Sequence, residues 1–298
     1  MALANETDVV KEFTEYLQQF SLVNYAYMSV FFILASIYIT LTFKSLKNLK
    51  FLDPIAYNAQ IAYISAVCVK GASYMTCSIL FIIPQFPKTN QTYYYHIWKR
   101  WNVLAMGTPG YVSAAAYCCI FFSWCNICIT YLSKNSKSFY EKSGTFIKVL
   151  LVIIFILFIS STSVVVIANV EVSNNAHYFE AGVATFRDFC IGFCFLVYMI
   201  HVLQQFRESG NMRKSSPEFR LFVMCVTLIL VLFIRTASIV FYTFHYSGQI
   251  HEFSLERLIM FAIEQFITEL FPFTTIAAVR LFSIDEYSFT PIEYEDVF

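Results

Sequence analysis

The chain has 298 residues, of which 58% are hydrophobic and 13% charged, with a formal net charge of zero and a mean hydropathy of +0.61. Soluble globular chains are about 45–50% apolar and about a quarter charged, so this is the composition of an integral membrane protein. It carries no basic domain or stripe of the kind that binds nucleic acid.

The first segment, residues 1–25, is read as a lumenal amino-terminal piece. It has acidic residues and no early apolar core, so it does not read as a cleavable signal peptide, and the first apolar run is expected to direct insertion. Val9, Val10, Phe13, Tyr16, Leu17 and Phe20 recur at helical spacing, which fits a short amphipathic helix at the membrane surface or a loosely ordered tail.

Seven apolar runs follow, at 26–43, 55–83, 103–132, 146–168, 183–206, 219–244 and 258–282, separated by short polar dividers rich in turn formers. A spanning helix needs about 20 mostly apolar residues. The expected fold is therefore all-α, a polytopic domain of seven transmembrane helices over 26–282, followed by an acidic tail over 283–298. All nine cysteines fall inside the apolar runs, where a cysteine behaves as a small buried hydrophobe. Cys125 and Cys128 lack the second Cys or His pair that a zinc site requires, so neither metal nor cofactor is expected.

Orientation follows from the basic residues beside the spans. Twelve lie on one side (Lys44, Lys47, Lys50, Lys134, Lys137, Lys142, Lys148, Arg207, Arg213, Lys214, Arg220 and Arg280) and five on the other (Lys11, Lys88, Lys99, Arg100 and Arg257). The amino end is thus expected to be lumenal or extracellular and the carboxyl end cytosolic. Asn5 and Asn90 each open a glycosylation tripeptide and both fall on the lumenal side. The Tyr93–Tyr95, Trp98 and Trp101 cluster reads as an interfacial aromatic belt or the cover of a cavity mouth. His96, His177, His245 and His251 all fall in expected lumenal loops, where an acidic lumen would charge them together.

The most informative stretch is the last span, which is long enough to cross a bilayer yet holds Glu264, Glu269 and Pro272. An ionisable group at mid-membrane costs roughly 2.5 kcal/mol or more unless it meets a partner or a wet cavity. Cationic partners exist in other spans. Lys70 sits near the middle of the second and Arg235 near the middle of the sixth, while Arg187 and Asp188 lie in the outer part of the fifth. Depth makes Lys70 and Arg235 the natural partners of Glu269, and Glu264 falls within reach of Arg187 or Arg235. These six residues read either as a clamp that fixes helix packing or as a ligand, ion or proton site. Pro272, and Pro109 in the third span, are expected to bend their helices and release backbone carbonyls.

The run Glu269-Leu270-Phe271-Pro272-Phe273-Thr274-Thr275, ending at Arg280-Leu281-Phe282, resembles the seventh-helix pattern of the plant tobamovirus-multiplication proteins and their lysosomal orphan-receptor-like animal relatives. Lys70, Trp124 late in a proline-containing third span, and Arg235 are similar in kind to features of that family, whereas Asn126 stands where an acidic residue is expected. The resemblance implies a seven-helix protein of vacuolar or lysosomal membranes. Such a protein acts without enzymatic chemistry, through cytosolic partners that include small GTPases.

Other classes fail on particular residues. The third span ends Ile127-Cys128-Ile129-Thr130-Tyr131 rather than in Asp-Arg-Tyr, the seventh has no Asn-Pro-x-x-Tyr and no Schiff-base lysine, and His201 is the only histidine inside a span. Rhodopsin-like coupling, retinal binding and intramembrane hydrolysis are disfavoured accordingly, and no catalytic residue is assigned. A proton- or ion-coupled carrier built on the charged groups is the alternative. In the tail, Tyr294-Glu295-Asp296-Val297 resembles a tyrosine-type sorting signal.

Overall fold

The computed structural model describes residues 6–46, 54–82, 101, 104–105, 107–123, 136–167, 173–209, 217–245 and 255–278. Among them the chain is all helical, with seven helices: α1 (Glu6–Leu46), α2 (Pro54–Ile82), α3 (107–123), α4 (Ser136–Ile167), α5 (Ser173–Ser209), α6 (Pro217–His245) and α7 (Leu255–Gln265). The seventh helix continues beyond α7 through a π-helical turn at Phe266–Leu270 and resumes over 271–278. Both α2 and α6 open on a proline, whose fixed φ suits the first helical position and whose missing N–H would have no partner there.

Among the described residues, five helices are long and apolar enough to cross a membrane, over Gln18–Phe43, Thr145–Ile167, Tyr178–Ile200, Phe222–Phe241 and Leu258–Ala278. The chain is therefore a multi-pass membrane protein. In α2 the polar residues Gln60, Lys70, Ser73 and Ser78 are all buried, so that helix turns its polar side to the protein interior. The amino-terminal helical pattern is not a separate surface element, because α1 runs unbroken from Glu6 into the first span.

Lipid cannot drive helices together as water does, so packing rests on dispersion, small residues and polar contacts. α1 lies along α2 and α5 along α6. Gly192 lets α5 approach α6, since a Cβ there would stand 3.3 Å from Leu232. The core is built of rings. Phe121 stacks on Phe195 at 4.0 Å, Tyr38 on Tyr63 at 3.9 Å, and Phe31, Tyr63 and Tyr117 surround Phe273. By contrast α4 buries only a narrow stripe, Leu150, Ile154, Ser161 and Val165, and exposes Val152, Ile153, Phe155, Ile156 and Ile159, as a lipid-facing helix does.

Asn5, Asn90, His96, His251, Trp124, Asn126, Tyr294 and Val297 lie outside the described residues. Cys68, Cys118, Cys119, Cys190, Cys194 and Cys225 are free thiols, and Cys77 forms no disulfide with any described residue.

Candidate functional site: a buried ion-pair network

Five charged side chains from four helices meet in the interior. Lys70 Nζ of α2 lies 2.8 Å from Glu269 Oε1 of the π turn, and Arg235 Nη1 of α6 lies 3.0 Å from the same oxygen. Arg235 Nε reaches Asp188 Oδ2 of α5 at 3.1 Å. Arg187 completes the row by folding onto its own neighbour, donating from Nε to Asp188 Oδ1 at 2.7 Å and from Nη2 to Asp188 Oδ2 at 3.1 Å. Adjacent residues on a helix do not ordinarily face each other. Here the long arginine turns back, and its guanidinium lies 4.3 Å over the ring of Tyr111.

The charges thus alternate: Lys70, Glu269, Arg235, Asp188, Arg187. None of the five is more than 9% exposed. Two shared carboxylates hold three cations, so the row carries a formal charge of +1. Glu180 and Glu264 are half-buried and lie within electrostatic reach of Arg235, yet neither has an ion-pair partner among the described residues. Glu264 therefore belongs to the rim and not to the row, and the reach toward Arg187 or Arg235 suggested by depth is not closed into a contact.

Glu180 lies three residues before the fifth apolar run, which begins at Val183, and so escapes a reading of the spans alone. Helical periodicity held the signal: Glu180 precedes Arg187 by seven residues and so shares its face.

Several side chains hold this row in place. Gly110 of α3 is the closest approach, since a Cβ added there would lie 2.5 Å from Arg235 Nη2 and 3.4 Å from Arg187 Nη2. Gly110→Ala is therefore expected to push the Arg235 guanidinium from its carboxylates, with a loss of about 1–3 kcal/mol, the usual range for overpacking. The check is thermal unfolding of the purified chain, alongside Gly182→Ala, whose added Cβ meets nothing within 4 Å. Equal midpoints for the two variants would show that the glycine is not needed for the arginines.

Pro109 lies in α3 and cannot donate to the carbonyl four residues before it, that of Ala105. Ser73 Oγ of α2 donates to that carbonyl instead. Pro272 acts on the seventh helix at the depth of Glu269. The preceding turn opens to π geometry, with the Phe271 N–H bonded to Phe266 O, and π turns are frequent at functional sites. Three tyrosines that sequence reasoning did not find brace this distorted helix. Tyr27 OH of α1 donates to Ala262 O at 2.5 Å, Tyr74 OH of α2 to Gln265 Oε1 at 2.5 Å, and Tyr63 OH of α2 to Phe273 O at 2.8 Å. From within the turn onward, Thr268 and Glu269, Pro272 and Phe273, and Ile276 and Ala277 repeat at four-residue spacing as the buried face.

Among the described residues no three His, Cys, Asp or Glu side chains come together to hold a metal ion. The arrangement is a charged lock: each carboxylate bridges helices, so moving one helix must break ion pairs to another. Comparison of the chain with protein-family models, with curated proteins and with solved structures finds no match.

Proposed function

We propose that this chain is a non-enzymatic, receptor-like seven-helix membrane protein that serves as a docking platform for a cytosolic partner of the small-GTPase type. In this reading all seven helices span an endolysosomal or vacuolar membrane, with a glycosylated lumenal amino end and a cytosolic acidic tail. The observation that carries it is the closed ion-pair row. Lys70 and Glu269 are each 2% exposed and joined through Arg235 to α5, which suits an element that sets the relative positions of helices and hence of their cytosolic ends. The likeness of the Glu269–Thr275 run to the lysosomal and plant vacuolar family supports the membrane and the class of partner.

A proton- or ion-coupled carrier is the second reading, favoured by Glu269 Oε2, which has no hydrogen-bond partner among the described residues and sits beside a π turn and a proline. Proximity labelling from the carboxyl end, in cells expressing the native chain or Glu269→Gln at matched levels, separates the two. The docking reading expects small GTPases or their regulators around the native chain and their loss from the variant. Labelling free of cytosolic regulators in both cases, with proton or ion flux in vesicles holding the native chain, would give the carrier reading the advantage.

A further inference from the structure

One face of α3 carries Gly110, Ser113 and Tyr117, at the i, i+3 and i+7 spacing that puts side chains in a single line along a helix. Gly110 lies against the Arg235 guanidinium, and the Tyr117 ring lies 5.4 Å from that of Phe273, one turn beyond Glu269. These two levels show that α3 and the seventh helix run in the same direction here. Helical side chains lean toward their amino-terminal end, so the Tyr117 hydroxyl points back from Phe273 toward Glu269. Consistent with that placement, Tyr117 is within electrostatic reach of Glu269, Arg235 and Asp188.

Three buried polar atoms of α3 and the seventh helix have no hydrogen-bond partner among the described residues: Ser113 Oγ, Tyr117 OH and Glu269 Oε2. Ser113 and Tyr117 are 0% exposed and Glu269 is 2% exposed. A fourth, Arg235 Nη1, pairs with Glu269 Oε1 at 3.0 Å without a hydrogen bond of good geometry. Leaving a buried polar group unsatisfied is costly, and native proteins rarely gather several in one place.

The set contains donors, an acceptor and groups that can serve as either. An anion would satisfy the hydroxyls and the arginine but would be repelled by Glu269 Oε2. A cation would suit that oxygen but would meet Lys70 and Arg235. A neutral molecule that both donates and accepts fits all four, and the smallest is water, which typically makes about three hydrogen bonds in buried sites.

We propose that Ser113, Tyr117, Arg235 and Glu269 bind internal water between α3 and the seventh helix, so that the ion-pair row is hydrated on the side of Glu269 Oε2. Water there gives the free oxygen a donor and lets Glu269 exchange partners without being stripped bare. The site belongs to the transmembrane bundle alone and does not depend on the docking role proposed above.

Conservative variants test it in the full chain, reconstituted in lipid nanodiscs. Removing a buried hydroxyl that has no partner relieves its desolvation penalty, whereas removing one that binds water breaks a hydrogen bond. Tyr117→Phe and Ser113→Ala are each expected to lower the Tm by a few degrees, and the double variant by less than the sum, because both act on the same water. A Tm unchanged or raised in either single variant would overturn the proposal, and so would full additivity. A density map fine enough to show water should place one within hydrogen-bond distance of at least three of the four atoms. Direct contact of Tyr117 with Glu269 in place of that density would also overturn it, as would a stronger, chloride-dependent peak. None of these readouts involves a cytosolic partner, so failure here and failure of the docking reading are distinguishable.

Discussion

Asp188→Asn is expected to destabilise the bundle by about 3–5 kcal/mol, the range found when one member of a buried ion pair is removed. Asp188 is 0% exposed and serves two guanidiniums, with Arg187 on both oxygens and Arg235 on Oδ2. The amide keeps the shape and one acceptor but leaves the row with three cations and one carboxylate. Arginine cannot shed its proton in a protein, so the excess charge has no local remedy. Thermal unfolding in nanodiscs reads the effect. At roughly 2–4 °C per kcal/mol, by extension from chains of 150–250 residues, the midpoint should fall by about 6–20 °C. Glu264→Gln, which touches only the rim, should move it far less. Equal shifts for the two variants would show that Asp188 is not the shared anion of the row.

How much of this could be read from the chain depends on which physical signal each part leaves. Composition and apolar runs carry the helical, membrane-embedded class because burial in lipid demands long uninterrupted stretches. Depth along those runs was enough to set Glu269 opposite Lys70 and Arg235, since rise per residue converts position into height. Azimuth is a different matter. The face that a residue presents in a bundle depends on neighbours far away in sequence, and so the bracing by Tyr27, Tyr63 and Tyr74 and the gap kept by Gly110 were not legible. Nor was the return of Arg187 onto Asp188, because adjacent helical residues are expected to diverge. Pro272 announced a distortion, but its form as a π turn from Phe266 to Leu270 depends on how α1 and α2 tie down the freed helix.

The Lys70 and Glu269 pair separates the lock from whatever it controls. Glu269→Leu leaves Lys70 and the Arg235 Nη1 edge without their carboxylate, and Lys70→Met leaves Glu269 with Arg235 alone. The first should cost about 3–5 kcal/mol and the second somewhat less, because Arg235 still neutralises the acid. Combining Lys70→Met with Glu269→Leu removes both charges, and since a buried pair adds little net stability over an apolar one, the double variant should recover part of the loss. A coupling of about 1–3 kcal/mol is expected from the thermal midpoints, in the range found for residues in direct contact. Recovery should stop short of the native value, because Arg235 retains only Asp188. Strict additivity would mean that the two side chains do not act on each other across the 2.8 Å between them. If the double variant regains its fold yet still fails to gather cytosolic partners in the labelling experiment, the ion pair is needed for more than packing, because packing alone will have been restored without it.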